Sequence, residues 1–371
     1  MTPTPRALTD VDDVRGRIDA LLDDYVTRLR STVVAIGSDA GPLADAVAQM
    51  LSGGKRLRAA FCYWSWRAHG GRVGTADEAS VLRVGAALEL FQAAALFHDD
   101  VMDDSDTRRG FPAAHRTFAA RHAQESWDGD AVRFGHSAAI LLGDLALVAS
   151  EEEFSAAVTG VPTPSAARAR AVFDLMRTEV TVGQYLDVLA QALPWSTRAG
   201  ADEARAREVI RAKSARYSVE HPIVLGAALA GAGDDELEAC RAIGLPLGEA
   251  FQLRDDLLGV FGDPAATGKP AGDDLREGKR TVLVARAVDR ARSTHDTRTL
   301  ELVDRVLGDR DADDEAVAAL ADAVAGSVES VEGLIAELSS AAFAAIDARA
   351  WPEPARGMLV ALARAAVERT A

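Results

Sequence analysis

Apolar residues recur at helical spacing along nearly the whole chain. A polar lead-in, placed at 1–30, overlaps a first amphipathic helix in which Ile18, Leu21, Leu22, Tyr25 and Leu29 share one face. Ser52-Gly53-Gly54 breaks that pattern, and a new helix is expected to start near Lys55. From Asp77 to about Asp104 the sequence is apolar nearly all round, which predicts one long buried helix. Arg109-Gly110-Phe111-Pro112 sets a glycine and a proline close together and closes it. Further helices are predicted over about 136–157, 165–191, 205–230, 234–262 and 279–293. Between them VPTPSAAR, Pro194 with the charged stretch 196–207, GAGDD and DPAATGKPAGDD read as loops. Residues 311–371 read as Ala- and Val-rich C-terminal helices, broken at Trp351-Pro352-Glu353-Pro354. No internal repeat or boundary interrupts the series. The expectation is therefore an all-α bundle in a single domain over residues 1–371.

Composition agrees with helices: alanine, leucine, valine and arginine dominate, and only 5% of the 371 residues are aromatic. Cys62 and Cys240 form no disulfide framework, and the first residues hold no apolar signal core, so a cytoplasmic location is expected. No uncharged apolar run reaches the roughly 18 residues of a membrane span, which predicts no stable membrane insertion. A formal net charge of −16 argues against a nucleic-acid partner. It leaves room for an anionic substrate, because a few clustered cations or bound metal ions reverse the local field.

Three stretches carry chemistry. In HDDVMDDSDTRRG, residues 98–110, Asp99 and Asp103 stand at i and i+4 on one helix face, with Asp100 and Asp104 on the neighbouring stripe. Carboxylates at this spacing repel unless a cation lies between them, and a hard divalent ion such as Mg²⁺ accepts such oxygens. A solvated acidic helix end is the ordinary alternative. Here, however, the aspartates directly follow the apolar run LFQAAALF and sit at the helix end the macrodipole disfavours for them. The second stretch, residues 251–281, repeats the arrangement: Asp255 and Asp256 end an apolar helix, and a Gly-rich loop with Lys269, Asp273, Asp274, Lys279 and Arg280 follows. Metal ions held by carboxylates on one side and Lys/Arg on the other suit a diphosphate. The third, GGKRLR at 53–58, places Lys55, Arg56 and Arg58 within a turn after two glycines; alone, a basic surface turn explains it equally well.

Together these stretches resemble the trans-isoprenyl diphosphate synthase (polyprenyl synthetase) family, in particular its bacterial geranylgeranyl diphosphate synthases. The likeness runs from about residue 50 to about 290 with the motifs in the family's order. It implies an all-α isoprenoid synthase bundle around a central cavity, a homodimer, Mg²⁺ (three ions), and two substrates, isopentenyl diphosphate and an allylic diphosphate (dimethylallyl, geranyl or farnesyl). It also implies residue roles. Asp99, Asp103 and Asp255 match metal ligands, with Asp256 in support. Lys55, Arg58, Gln92 and Arg109 match the isopentenyl diphosphate site. Arg108, Lys213, Ser214, Gln252, Lys269 and Lys279 match the allylic site; Asp99, Asp103, Asp255, Lys213 and Arg108 form the implied catalytic set. Two departures stand out. The second motif reads Asp255-Asp256-Leu-Leu-Gly259 where a third aspartate is usual, and the VERTA terminus lacks a basic tail.

The implied reaction is ionisation of the allylic diphosphate, attack by the double bond of isopentenyl diphosphate, and proton loss to the released diphosphate. Product length should be set along the helix that bears the first motif. Ala95 and Ala94, four and five places before Asp99, replace the aromatic stopper of farnesyl-making relatives, and Phe91 lies a turn deeper. This predicts geranylgeranyl diphosphate (C20), with a longer (C25 or more) or a farnesyl product as alternatives. Two other classes compete with this reading. A class I terpene cyclase needs no second diphosphate site, so GGKRLR, Gln92 and Arg109 speak against it. A non-catalytic subunit of a heteromeric synthase typically loses the aspartates that this chain keeps.

Overall fold

The computed structural model describes residues 10–263 and 271–368; Lys269 therefore lies outside the described residues. In chain order the helices are α1 (Val14–Ile36), α2 (Gly41–Leu51), α3 (Leu57–Ala68), α4 (Ala76–Met102), α5 (Ala114–Gln124), α6 (Ala131–Val158), α7 (Thr163–Ala192) and α8 (Ala201–Val209). A π-wound segment, Ile210–Glu220, runs straight into α9 (His221–Leu229). Then come α10 (Asp234–Phe261), α11 (Asp273–Arg276), α12 (Val282–Thr294), α13 (Thr297–Val306), α14 (Asp314–Ala325), α15 (Val328–Asp347) and α16 (Ala355–Val367). Among the described residues the only sheet is a hairpin of β1 (Thr107–Arg108) and β2 (Phe111–Pro112).

Several expectations need correcting. The polar lead-in ends at Asp13 rather than near residue 30, because Val14, Ile18, Leu22, Tyr25 and Leu29 already bury one face of α1. The stretch 196–207, expected as a loop, contains the start of α8, with Asp202 and Glu203 in its first turn, where the helix dipole favours acids. Helices α5 and α13 were not anticipated; α13 is announced by Asp296, whose side chain accepts from the Thr299 N–H and so caps it. The helix expected at 205–230 is instead three windings in succession.

Helix α4 is the axis of the molecule. It buries residues around its whole circumference, from Val81 and Leu82 through Leu88 and Phe91 to Phe97. Helix α6 lies along it, tied by a 2.7 Å bond from Ser150 Oγ to the Ala87 carbonyl. Behind it, α3 contributes the fully buried Phe61, Tyr63, Trp64 and Trp66. Gly226 of α9 lets the α3 backbone come close: a Cβ there would overlap the Cys62 carbonyl and lie 2.8 Å from the Trp66 nitrogen. Both cysteines are free and buried.

By length and composition alone α4 and α6 are each apolar enough to cross a membrane, since a few charged residues are tolerated in such a span. The most apolar window of α4 is 72% buried in the core, whereas that of α6 is only 33% buried. The remainder is an outer face with Ile140, Leu141 and Val148 exposed, and α7 likewise exposes Leu175, Val182, Tyr185 and Val188.

Gly226→Ala should overpack the α3–α9 contact and lower stability by about 2 kcal/mol in urea unfolding. An unchanged midpoint would show that the two backbones are not so closely seated.

Candidate active site

The first carboxylate cluster forms where α4 runs out. Asp103 closes the helix in right-handed geometry, its N–H donating to the Asp99 carbonyl at 2.8 Å, so both side chains keep one face. Asp99 receives Lys213 Nζ at 2.9 Å, Gln184 Nε2 at 3.2 Å and an Arg108 guanidinium nitrogen at 3.4 Å. Asp100, fully buried, accepts from the Nε of the same Arg108 at 2.6 Å. Lys213 reaches this spot because Gly183 of α7 has no side chain; a Cβ would overlap the backbone of Ala212 and Lys213. Its ammonium also meets Asp187 Oδ2 at 2.6 Å.

The electrostatics follow from that geometry. Burial alone would raise the Asp99 carboxyl, but Lys213, Lys279 and Arg108 outweigh it and hold it well below the ordinary range. Asp103 goes the other way, to about 6, through burial and the charge of Asp99. Burial disfavours the Lys213 ammonium, yet Asp99, Asp187 and Asp103 lift its pKa.

The second cluster hangs from the end of α10. Asp256 is buried and accepts from Gln252 Nε2 at 2.8 Å, while Asp255 is exposed. Burial pushes Asp256 up to about 8, and the nearby Asp274 and Asp255 add to the rise against the Gln252 hydrogen bond. Gly259 stands where a third carboxylate was expected, and the structure gives a physical reason for a glycine. A Cβ at this position would lie 2.6 Å from the Asp274 Cγ and overlap its Oδ2. The carboxylate of Asp274, from α11, fills that space.

Lys279 joins the two clusters. Its Nζ lies 2.6 Å from Glu277 Oε2, 3.3 Å from Asp274 Oδ1 and 3.5 Å from Asp103 Oδ2. Ser105 Oγ donates to Glu277 Oε1 at 2.8 Å, which ties the exit of the first cluster to the loop of the second.

The basic turn resolves into unequal parts. Gly53 adopts φ +72° and Arg56 φ +51°, giving the turn its left-handed bend. Arg56 is buried and faces inward, donating to Asp19 at 2.7 Å and Glu89 at 3.3 Å, so it is structural. Lys55 is exposed. Arg58 donates to Ser218 Oγ at 2.9 Å and lies over the Tyr217 ring at 4.1 Å. Arg109 anchors to the Met50 and Ser52 carbonyls at 2.6 and 3.0 Å, with burial and the nearby Arg56 and Arg58 lowering its pKa against the pull of Glu89. Gln92 and Ser214 are half-buried. Phe91 meets Tyr217 edge-on at 5.7 Å. Ala94 is fully buried and Ala95 partly open.

Gln184, Asp187, Tyr217 and Glu277 were not anticipated at the site, and Asp274, expected only as part of the second charged loop, proves to stand in the space beside Gly259. Gln184 and Asp187 carried a faint signal, as polar residues three apart on an otherwise ordinary helix. The donor set is all oxygen, and Asp103 Oδ2 is buried without a hydrogen bond. Such a set fits a hard divalent cation.

A sequence model of the polyprenyl synthetase family matches residues 41–324, which takes in both clusters and the basic turn. The chain belongs to that family. It is a trans-prenyltransferase of a metal-dependent class. It is 31% identical over 274 residues to a geranylgeranyl diphosphate synthase of Sulfolobus acidocaldarius, covering 74% of this chain and 73% of the other. It is 34% identical over 246 residues to a geranylfarnesyl diphosphate synthase of Aeropyrum pernix, covering 65% and 68%. A crystal structure of the geranylgeranyl pyrophosphate synthase of Corynebacterium glutamicum, complexed with isoprenyl diphosphate and magnesium, superposes with a TM-score of 0.90 at 37% identity, covering 97% of this chain and all of that one.

The raised carboxyls make metal-free stability depend on pH. A carboxyl whose folded pKa lies above its unfolded value holds its proton more tightly when folded. Its stabilising effect is complete below the unfolded value and is lost as pH rises to the folded one. Asp256, about 8 against an ordinary 3.8, should therefore cost the prenyltransferase stability as pH rises toward about 8, with a plateau above. His115, held at about 4 against 6.5 by burial and by Arg116 and His136, opposes this only below 6.5. Thermal unfolding in EDTA from pH 6.5 to 9 checks it. The midpoint should fall and then level off, and Asp256→Asn should flatten the fall; a rise would contradict the assignment.

Proposed function

We propose that the chain condenses isopentenyl diphosphate with an allylic diphosphate, dimethylallyl, geranyl or farnesyl, and releases geranylgeranyl diphosphate (C20). The observation that carries this reading is the pair of acidic helix ends joined through Lys279, with a separate basic pocket around Arg58 and Arg109. One diphosphate would sit at each. Relatives named for geranylgeranyl diphosphate in both sequence and structure support the product. The relative named for geranylfarnesyl diphosphate keeps a longer product as the alternative.

Mg²⁺, three ions in this reading, would be held by Asp99, Asp103 and Asp255 with Asp256, and when bound would supply positive charge to the departing diphosphate. The chain's own groups do the rest. Arg108, Lys213 and Lys279, now engaged by carboxylates, exchange those partners for allylic diphosphate oxygens, assisted by Ser214, Gln252 and Lys269. Their charge counts for most as the carbon–oxygen bond breaks and negative charge grows on the leaving group. Lys55, Arg58, Gln92 and Arg109 hold isopentenyl diphosphate so that its double bond meets the allylic carbon. A proton then leaves the new carbon skeleton for the released diphosphate. Asp274 supports the second cluster in the space that Gly259 leaves.

Chain length is read down α4. Phe91 lies eight residues before Asp99, about 12 Å at 1.5 Å per residue. Its edge-on contact with Tyr217 closes the way at that depth, while Ala95 leaves the turn above it open. The exposed apolar faces of α6 and α7 suit a second copy of the chain, and a homodimer in the cytoplasm is the arrangement we favour, with neither a nucleic-acid nor a membrane partner.

Asp99→Ala and Asp103→Ala should each lower kcat by at least about a hundredfold with little change in the melting midpoint, since they remove charge stabilisation rather than packing. Near-normal turnover in either variant would refute the ligand assignment. Ala95→Phe should shift the product to a shorter chain in mass spectrometry; unchanged length would refute the α4 gauge.

A further inference from the structure

Beside the first cluster, but facing away from it, lies a group of side chains that the prenyl-transfer reading does not use. Asp104 follows Asp103 in left-handed geometry, φ +50°, which swings its carboxylate toward α5 and α6. His115, in the first turn of α5, and His136, on α6, face it there. Gly135 makes this possible: a Cβ there would overlap the His115 carbonyl and lie 3.0 Å from the Ala119 Cβ, so only glycine lets α5 sit so tightly on α6. The two imidazole rings stand 5.4 Å apart, and Asp104 Oδ1 lies 3.7 Å from His115 Nε2 and 3.9 Å from His136 Nε2.

His115 is 1% exposed, yet neither of its ring nitrogens makes a hydrogen bond, and His136 Nε2 is likewise buried without one. Leaving such groups buried and unmatched is costly, so a partner is to be expected. One oxygen and one nitrogen from each imidazole, all within 4.8 Å of one another, are a known donor set. Two histidines and a carboxylate, with a position left for water, suit Zn²⁺, Co²⁺ or Ni²⁺, whereas Mg²⁺ prefers oxygen donors throughout. A cationic competitor is present. Arg116 places one guanidinium nitrogen 2.9 Å from Asp104 Oδ1, and its Nε 2.9 Å from Asp106 Oδ1. It also donates to the Asp104 carbonyl at 3.3 Å, as does Arg310. Since Arg116 Nε lies within ion-pair distance of Asp106, though without a hydrogen bond to it, Arg116 can yield the Asp104 carboxylate and keep a charge partner.

We propose that Asp104, His115 and His136 form a second metal site, selective for a borderline transition-metal dication and separate from the oxygen-lined clusters. The ion pins the turn after Asp103 to the α5–α6 contact, and so fixes the segment through which the first cluster connects to the hairpin bearing Arg108 and Arg109.

The test is a Co²⁺ titration of the full, tag-free chain with Mg²⁺ in excess to occupy the aspartate clusters, read by visible absorption and by melting midpoint. The wild type should bind one Co²⁺ per chain with the intense visible bands of a low-coordinate histidine site, and its midpoint should rise. His136→Ala, at the more open ligand, should weaken binding by more than the roughly tenfold that loss of even an outer partner costs, and should abolish the rise in midpoint. Asp104→Asn should weaken binding in a chain whose packing is untouched, which covers the case of a poorly folded histidine variant. Absence of such bands in the wild type, or bands and affinity unchanged in both variants, would overturn the site.

Discussion

The site depends on burying like charges without letting them repel the fold apart. Asp99, Asp100 and Asp103 lie within about a turn of α4, two of them fully or nearly fully out of water. In a medium of low dielectric constant such carboxylates are tolerable only with cations against them. Lys213, Arg108 and Lys279 supply those charges from three different parts of the chain. The same cations hold the Asp99 carboxyl well below the ordinary range, whereas burial and the charge of Asp99 raise Asp103, a turn away, although Lys279 and Lys213 pull it down. An array balanced in this way is poised for ligands of both signs. A divalent cation relieves the carboxylates and a diphosphate relieves the lysines, so each favours the arrival of the other.

Much of this was visible in the sequence because it is local. The aspartates of 98–110 lie next to one another on one helix, and helical period alone places Asp99 and Asp103 together. The long apolar run before them announced the buried axis, and the apolar pattern of α10 announced the second acidic end. What could not be read was the part made by close approach between distant segments. Gly183, Gly226 and Gly135 look like ordinary helical glycines, yet each marks a place where another backbone presses in. Lys213 arrives at Asp99 through Gly183, from a segment wound in a way no periodicity would suggest. The missing third acid at Gly259 is a similar case. Read along the chain it is a loss; in three dimensions the space is taken by Asp274, fifteen residues on. Arg56 illustrates the converse error, a cation in a promising motif that turns inward to satisfy Asp19 and Glu89.

Family membership and local geometry support different parts of the account. The match over residues 41–324 and the superposition with the Corynebacterium glutamicum enzyme establish the fold and the class of chemistry. The proposed gauge of product length rests on this chain's own residues, on the small Ala95 and on the Phe91–Tyr217 contact below it. The asymmetry of the two acidic clusters likewise belongs to this chain, with the first complete on its helix and the second completed by a neighbour.

The central claim is that one pocket holds two diphosphates and joins their carbon chains. Mass spectrometry of products from purified chain, Mg²⁺, radiolabelled isopentenyl diphosphate and each allylic primer in turn tests it directly. The account predicts labelled geranylgeranyl diphosphate from every primer and no product when isopentenyl diphosphate is withheld. A hydrocarbon released from an allylic diphosphate alone, or condensation that requires a second, different subunit, would contradict it.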